Sequence, residues 1–202
     1  MYQSHYNSAF PVICIDEASK QLVEETTKPI PAQSGQAERI DYEYERNGTA
    51  NLLMVCEPMV GWRRVKVTPQ RTAVDYAHLL KTLVDEDYPE AVKITVIQDN
   101  LNTHSPASLY KAFEPAEAQR ILNHLEFCHT PKHGSWLKMA EIEVSVLSRQ
   151  CLDRRIPDFE TLTTEVEAWM EHRSQEKTWI DWRFTTADAR VKLHRLYPSI
   201  NN

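Results

Sequence analysis

The sequence predicts an α/β protein: a mixed sheet, antiparallel at its start and parallel later, flanked by helices. Three observations predict it. Apolar runs of strand length open the chain at 11–17, 50–57 and 62–67, joined by turn residues. Later apolar runs at 92–98 and 125–128 alternate with segments of helical spacing. Both the first run and the run at 92–98 end in carboxylates, Asp16-Glu17 and Asp99.

The elements follow in order. Residues 11–17 read as a buried strand, because Val12, Ile13, Cys14 and Ile15 succeed one another without polar alternation. Residues 18–40 read as a loop, broken by Pro29, Pro31 and Gly35. Residues 41–47 alternate polar and aromatic as an exposed strand does, and Asn47-Gly48 is a turn signal. A strand at 50–57, a turn at Pro58–Gly61 and a strand from Trp62 to Val67 complete a meander. Thr68 or Thr72 can cap a helix carrying Ala73, Tyr76, Ala77, Leu80 and Leu83 on one face. Ser105-Pro106 is a cap with proline in the first turn, so a helix is expected through about Phe113. After the strand at 125–128, a helix is expected from about Trp136 to Leu152. Asp158 can cap the next, with Leu162, Val166, Trp169 and Met170 on one face. Thr185 or Thr186 can cap the last, which Pro198 stops. This is the element order of a ribonuclease-H-like fold. In it, the first strand and the strand ending at Asp99 can lie side by side, with Asp16 near Asp99.

Composition bounds the rest. The chain's 202 residues suit one domain with a sizeable core, and 42% hydrophobic with 26% charged residues is ordinary for a globular protein. No apolar run reaches membrane-span length and the first residues show no signal pattern, so the expectation is a cytoplasmic protein without a membrane partner. Cys14, Cys56, Cys128 and Cys151 are widely spaced and read as reduced core thiols. Cys128, His129 and His133 form no closed four-ligand zinc set. A net charge of −6 argues against DNA binding by the whole surface. Contacts to DNA would have to come from clusters such as Arg63, Arg64 and Lys66 or Arg149, Arg154 and Arg155, or another polypeptide would have to supply the affinity.

Three acids carry the chemistry. Two carboxylates at strand ends repel unless a cation sits between them, and Mg²⁺ or Mn²⁺ takes such hard oxygen ligands. Two ions can stabilise both the attacking and the leaving oxygens on phosphorus, so a site built on Asp16, Asp99 and a helix-borne acid suits phosphodiester cleavage. Asn100, Asn102 and His104 crowd the turn after Asp99. They either stabilise that turn or orient ligands. The third acid is Glu141 or Glu143, which cannot share a helix face. Glu143 falls within the apolar arc and needs a partner there; Glu141 falls beside Ser145 and Ser148.

Asp16-Glu17, Asp99-Asn100-x-Asn102-x-His104 and Leu137-Lys138-Met139-Ala140-Glu141 together resemble the DDE transposases of the Tc/mariner superfamily, in its bacterial insertion-sequence branch. Tyr44-x-Arg46-Asn47-Gly48-Thr49-x-Asn51-Leu52, Pro131-x-x-Gly134-Ser135-Trp136-Leu137 and the tail from Trp182 to Leu193 extend the likeness over nearly the whole chain. The resemblance implies one DDE catalytic domain over 1–202, with Asp16, Asp99 and Glu141 as catalytic metal ligands for Mg²⁺ or Mn²⁺, two ions in all. Glu17, Asn100, Asn102 and His104 stand behind them. Lys138, Arg149, Arg63 and Arg64 are the candidates for DNA contact. It further implies cleavage at transposon ends and strand transfer into double-stranded target DNA at TA, by a homodimer or with a separate end-binding subunit, in the bacterial cytoplasm at the nucleoid. The sequence departs from the family pattern in two ways. With its first strand beginning near residue 11, the sequence is expected to lack the N-terminal helix-turn-helix region, and Lys138 stands where the family usually has Asn. These departures motivate the alternative of an inactive remnant that binds DNA or a partner. A different ribonuclease-H-like nuclease is the remaining alternative.

Overall fold

The computed structural model describes residues 6–27, 30–37, 39, 41–131, 138–176, 180 and 183–192. Its centre is a five-stranded sheet in the order β3-β2-β1-β4-β5. The strands are β1 (Val12–Glu25), β2 (Tyr44–Glu57), β3 (Trp62–Thr68), β4 (Ile94–Gln98) and β5 (Leu125–His129). The β1–β2 and β2–β3 pairs are antiparallel, and β1–β4 and β4–β5 are parallel. This is the mixed, ribonuclease-H-like sheet that the apolar runs predict.

Strand alternation divides the core between two faces. Ile13, Ile15, Leu53, Val55 and Val96 turn to one face. There they meet α1 (Ala73–Thr82), α2 (Leu109–Ala112) and α3 (Pro115–Asn123), through Tyr76, Leu80, Leu109 and Ile121. Cys14, Leu52, Met54, Cys56 and Ile97 turn to the other. There they meet α4 (Met139–Leu147) and α5 (Phe159–Gln175), through Met139, Leu147, Leu162, Val166 and Trp169. Both α1 and α4 run on into a π-helical turn, Leu83–Asp87 and Ser148–Leu152. A last helix, α6, spans Thr186–Lys192.

The caps match the local chemistry. Thr72 and Asp75 form a reciprocal capping box at α1. Asp158 accepts from the Thr161 N–H at α5, and Thr185 accepts from the Asp188 N–H at α6. None of the four cysteines is in a disulfide.

Three expectations need correction. The segment after Asp16 is not a loop from residue 18: β1 continues to Glu25, paired with β2 back to Tyr44. Asn47-Gly48 does not turn the chain. The register slips between Gln21 and Val23, so Asn47 and Gly48 form the long side of a bulge, with Gly48 at φ 93°. Helix α3 was not expected, although Pro115 in its first turn and the spacing of Ala118, Ile121 and Leu122 mark it. The 131–137 motif beyond Pro131, His133, Trp179, Trp182 and the tail from Leu193 lie outside the described residues.

Candidate active site

The parallel pairing of β1 with β4 sets the site. Cys14 is level with Ile97, and both side chains face α4 and α5. Two residues further along each strand come Asp16 and Asp99, on that same face. Glu17, one residue on from Asp16, turns to the opposite face.

Helix α4 brings a cation to the two aspartates. Lys138 immediately precedes the helix with extended backbone (φ −79°, ψ 122°), and its side chain is only 1% exposed. Its ammonium Nζ lies 2.8 Å from Asp16 Oδ1 and 3.0 Å from Asp99 Oδ2. Burial alone would push the Asp99 carboxyl up. The bonds from Lys138 and His104 outweigh burial and hold it below the usual carboxylate range. Likewise burial would lower the Lys138 ammonium, but the two aspartates raise it above its ordinary value. Lys138 is therefore not the exposed DNA contact that the sequence suggests.

On the other face, His104 joins the two strand ends. Its Nδ1 is 2.8 Å from Asp99 Oδ1 and its Nε2 2.9 Å from Glu17 Oε1. Each ring nitrogen of His104 therefore faces a carboxylate oxygen. The ring packs against Tyr76 at 4.8 Å between centroids. Gln98 is fully buried beside it: its amide donates to the His104 carbonyl at 3.0 Å, and its carbonyl oxygen accepts from the Tyr76 hydroxyl. Arg71 Nη1 lies 3.1 Å from the second oxygen of Glu17. Three carboxylates thus meet a lysine, an arginine and a histidine. Arg71 and Gln98 were not singled out in the sequence. Arg71 stands in a polar loop with no motif, whereas a glutamine ending an apolar run just before Asp99 was a readable signal.

The other candidates separate. The Asn100 amide donates to the Thr130 carbonyl at 3.2 Å, tying the end of β4 to that of β5. Asn102 is exposed in the turn. Glu141, in the first turn of α4, is half-buried, and its N–H donates to the Lys138 carbonyl at 3.2 Å. Among the described residues no group of three metal-binding side chains is already assembled, so Glu141 does not join Asp16 and Asp99 in this arrangement. Glu143 is buried on the inner side of α4, 3.0 Å from Arg63 Nε and 3.2 Å from Arg173 Nη2. Arg63 is thereby corrected as a DNA contact: it is 5% exposed and serves Glu143. Arg64 is half-exposed and paired with Asp87. Arg149 is exposed, its Nε donating to the Ser145 carbonyl at 3.2 Å.

Hard carboxylate oxygens that already converge on one cation, at the ends of adjacent parallel strands, fit a divalent metal. Glu141 follows Lys138 by three residues, in the first turn of α4. The sheet order and these acids define a nuclease-type domain of ribonuclease-H-like fold. The family described as DDE superfamily endonuclease matches residues 11–163, and the chain belongs to that family. No curated protein sequence matches the chain.

Among solved structures, the chain is similar to the Mos1 transposase paired-end complex with left transposon end, at TM-score 0.58 and 16% identity over 84% of this chain and 50% of that one. It is similar to the Mos1 mariner paired end complex with Mn, at TM-score 0.55 and 15% identity over 85% and 51%. It is also similar to the catalytic domain of Mos1 mariner transposase, at TM-score 0.53 and 11% identity over 86% and 85%. The chain spans about half the length of the transposases in the two DNA complexes. Identities this low establish the fold alone.

Proposed function

We propose that this chain is the catalytic domain of a transposase, cutting DNA phosphodiester bonds and joining the freed ends to a target with Mg²⁺ or Mn²⁺, in two ions. The observation that carries the reading is the convergence of Asp16 and Asp99 on one cation, at the start of α4. Membership of the endonuclease family supports it, as does the fold shared with transposases solved on transposon ends and with Mn.

Asp16, Asp99 and Glu141 would hold the metal. Bound there, it would supply Lewis-acid stabilisation of charge on phosphorus and an activated water or 3′ hydroxyl. His104, held in turn by Glu17, fixes the Asp99 carboxylate, so that its Oδ2 stays aimed at the α4 side. Exposed Arg149, on the turn continuing α4, would take DNA phosphate. Double-stranded transposon ends and a TA target are the substrates that this reading implies. Two copies, or a separate end-binding subunit, would bring the ends together. Among the described residues no helix is long and apolar enough to cross a membrane. We place the protein in the bacterial cytoplasm, at the nucleoid.

The test is nicking of supercoiled plasmid DNA with MnCl₂, for wild type and for Asp99→Asn. Nicking by wild type that Asp99→Asn abolishes supports the reading. Equal nicking by both would remove Asp99 from the site. One observation favours a second reading, an idle remnant that only binds DNA or a partner subunit: Lys138 already satisfies both aspartates. Metal-dependent nicking by the wild type excludes it.

A further inference from the structure

We infer that Lys138 is a tethered cation that competes with the divalent metal for Asp16 and Asp99, so that metal enters only when the lysine side chain leaves. The inference rests on the proposed metal site and adds a gate to it.

The geometry gives three reasons. First, the ammonium lies within 3.0 Å of one oxygen from each aspartate, where a shared metal would lie. Two cations cannot occupy one such position at contact distance. Second, the side chain is almost completely buried among these groups, so the pairing is not a loose surface bridge screened by water. Third, the lysine is attached directly ahead of α4, so its local concentration at the aspartates does not depend on solution conditions. A competing state that is occupied most of the time weakens apparent affinity in proportion to the fraction of protein left open. A lysine in place for 90–99% of the time would weaken metal binding by about 10- to 100-fold.

Displacement also links the metal to the third acid. The Glu141 N–H is bonded to the Lys138 carbonyl, so the lysine backbone and the glutamate share the first turn of α4. When the ammonium swings out, the space it fills between the two aspartates opens. A DNA phosphate is the counter-ion that could receive the departing lysine.

The experiment is calorimetric titration of MnCl₂ into the full chain and three variants: Lys138→Met, Lys138→Gln and Lys138→Met/Asp99→Asn. Methionine keeps the length without the charge; glutamine keeps a neutral donor, in case methionine does not fold. Circular dichroism checks that each variant is folded. The inference expects Lys138→Met or Lys138→Gln to bind Mn²⁺ at least about tenfold more tightly than wild type, with the gain lost in the double variant. Magnesium added to wild type should also release the Lys138 ammonium from protection, seen as loss of its slowly exchanging ¹⁵Nζ signal. Equal binding by wild type and the single variants, abolished in the double variant, overturns the gate and leaves the metal site standing. No binding by any folded variant overturns the metal site, and the gate with it.

Discussion

Glu143 and Arg63 form a buried ion pair, 3.0 Å apart, beneath the helix that carries Glu141. The two glutamates of α4 thus do different work. Glu143 is 1% exposed and also neutralises Arg173. Glu143→Gln leaves two guanidinium groups facing a neutral side chain, and should cost about 3–5 kcal/mol of stability, as breaking buried pairs does. Glu141→Gln should leave the melting temperature near that of wild type and abolish metal-dependent nicking. Thermal denaturation of the two variants side by side checks the division; a strongly destabilised Glu141→Gln would contradict it.

His104 bonds both Asp99 and Glu17. His104→Asn shortens the bridge and frees the Asp99 carboxylate to rotate. Nicking should fall by about 10- to 100-fold, the usual cost of losing a group that orients a metal ligand. Far-ultraviolet circular dichroism should stay unchanged. Full activity in this variant would make His104 a packing residue only.

Glu57 gives a pH dependence far from the site. It is 2% exposed; one oxygen accepts from the Tyr88 hydroxyl at 2.8 Å, and Oε1 has no hydrogen-bond partner. Burial raises its carboxyl above the ordinary value, partly offset by the Tyr88 bond. Its protonated form therefore favours folding: that contribution is full below the unfolded value, about pH 4.3, and is lost as pH rises through the folded one. Glu57→Gln carries no such loss. Its melting temperature relative to wild type should rise between pH 4 and pH 7, and a difference that stayed flat would refute the assignment.

Gly48 stands at φ 93° on the long side of the β1–β2 bulge, with open space where a Cβ would go. Gly48→Ala meets backbone strain alone, of about 1–3 kcal/mol. Denaturant unfolding should show that loss with an unchanged slope. A neutral result would mean that the bulge can shift to another residue.

Much of this was legible from the chain. Apolar runs of strand length gave all five strands, and the runs leading into Asp16-Glu17 and Asp99 placed the acids together, because the two strands pair in parallel with Cys14 level with Ile97. Thr72, Ser105, Asp158 and Thr185 announced their helices through side chains that bond the first free N–H groups. Less legible was anything decided by pairing. Residues 18–25 look like loop because half of their side chains face water, and only β2 makes them strand. The same holds for Asn47-Gly48, whose turn chemistry serves a bulge as well. Neither the distance from Lys138 to the aspartates nor the service of Arg63 to Glu143 could be read from spacing, since each joins elements far apart in the chain.

Adjacent acids on one strand make the domain sensitive to reading register in a way that point substitutions do not reveal. Asp16 meets Lys138 on one side of the sheet, and Glu17 meets His104 on the other. Removing one residue between Val12 and Ile15 would bring Glu17 to the position facing α4 and draw Asp16 back to the position of Ile15, on the opposite face, while both acids survived in the sequence. Such a copy would pass as intact by its motifs and be broken by its geometry. Among related elements, single-codon insertions or deletions in this strand should therefore be rarer than in the Pro31–Gly35 segment that joins β1 to β2, and a count across genomic copies would check it.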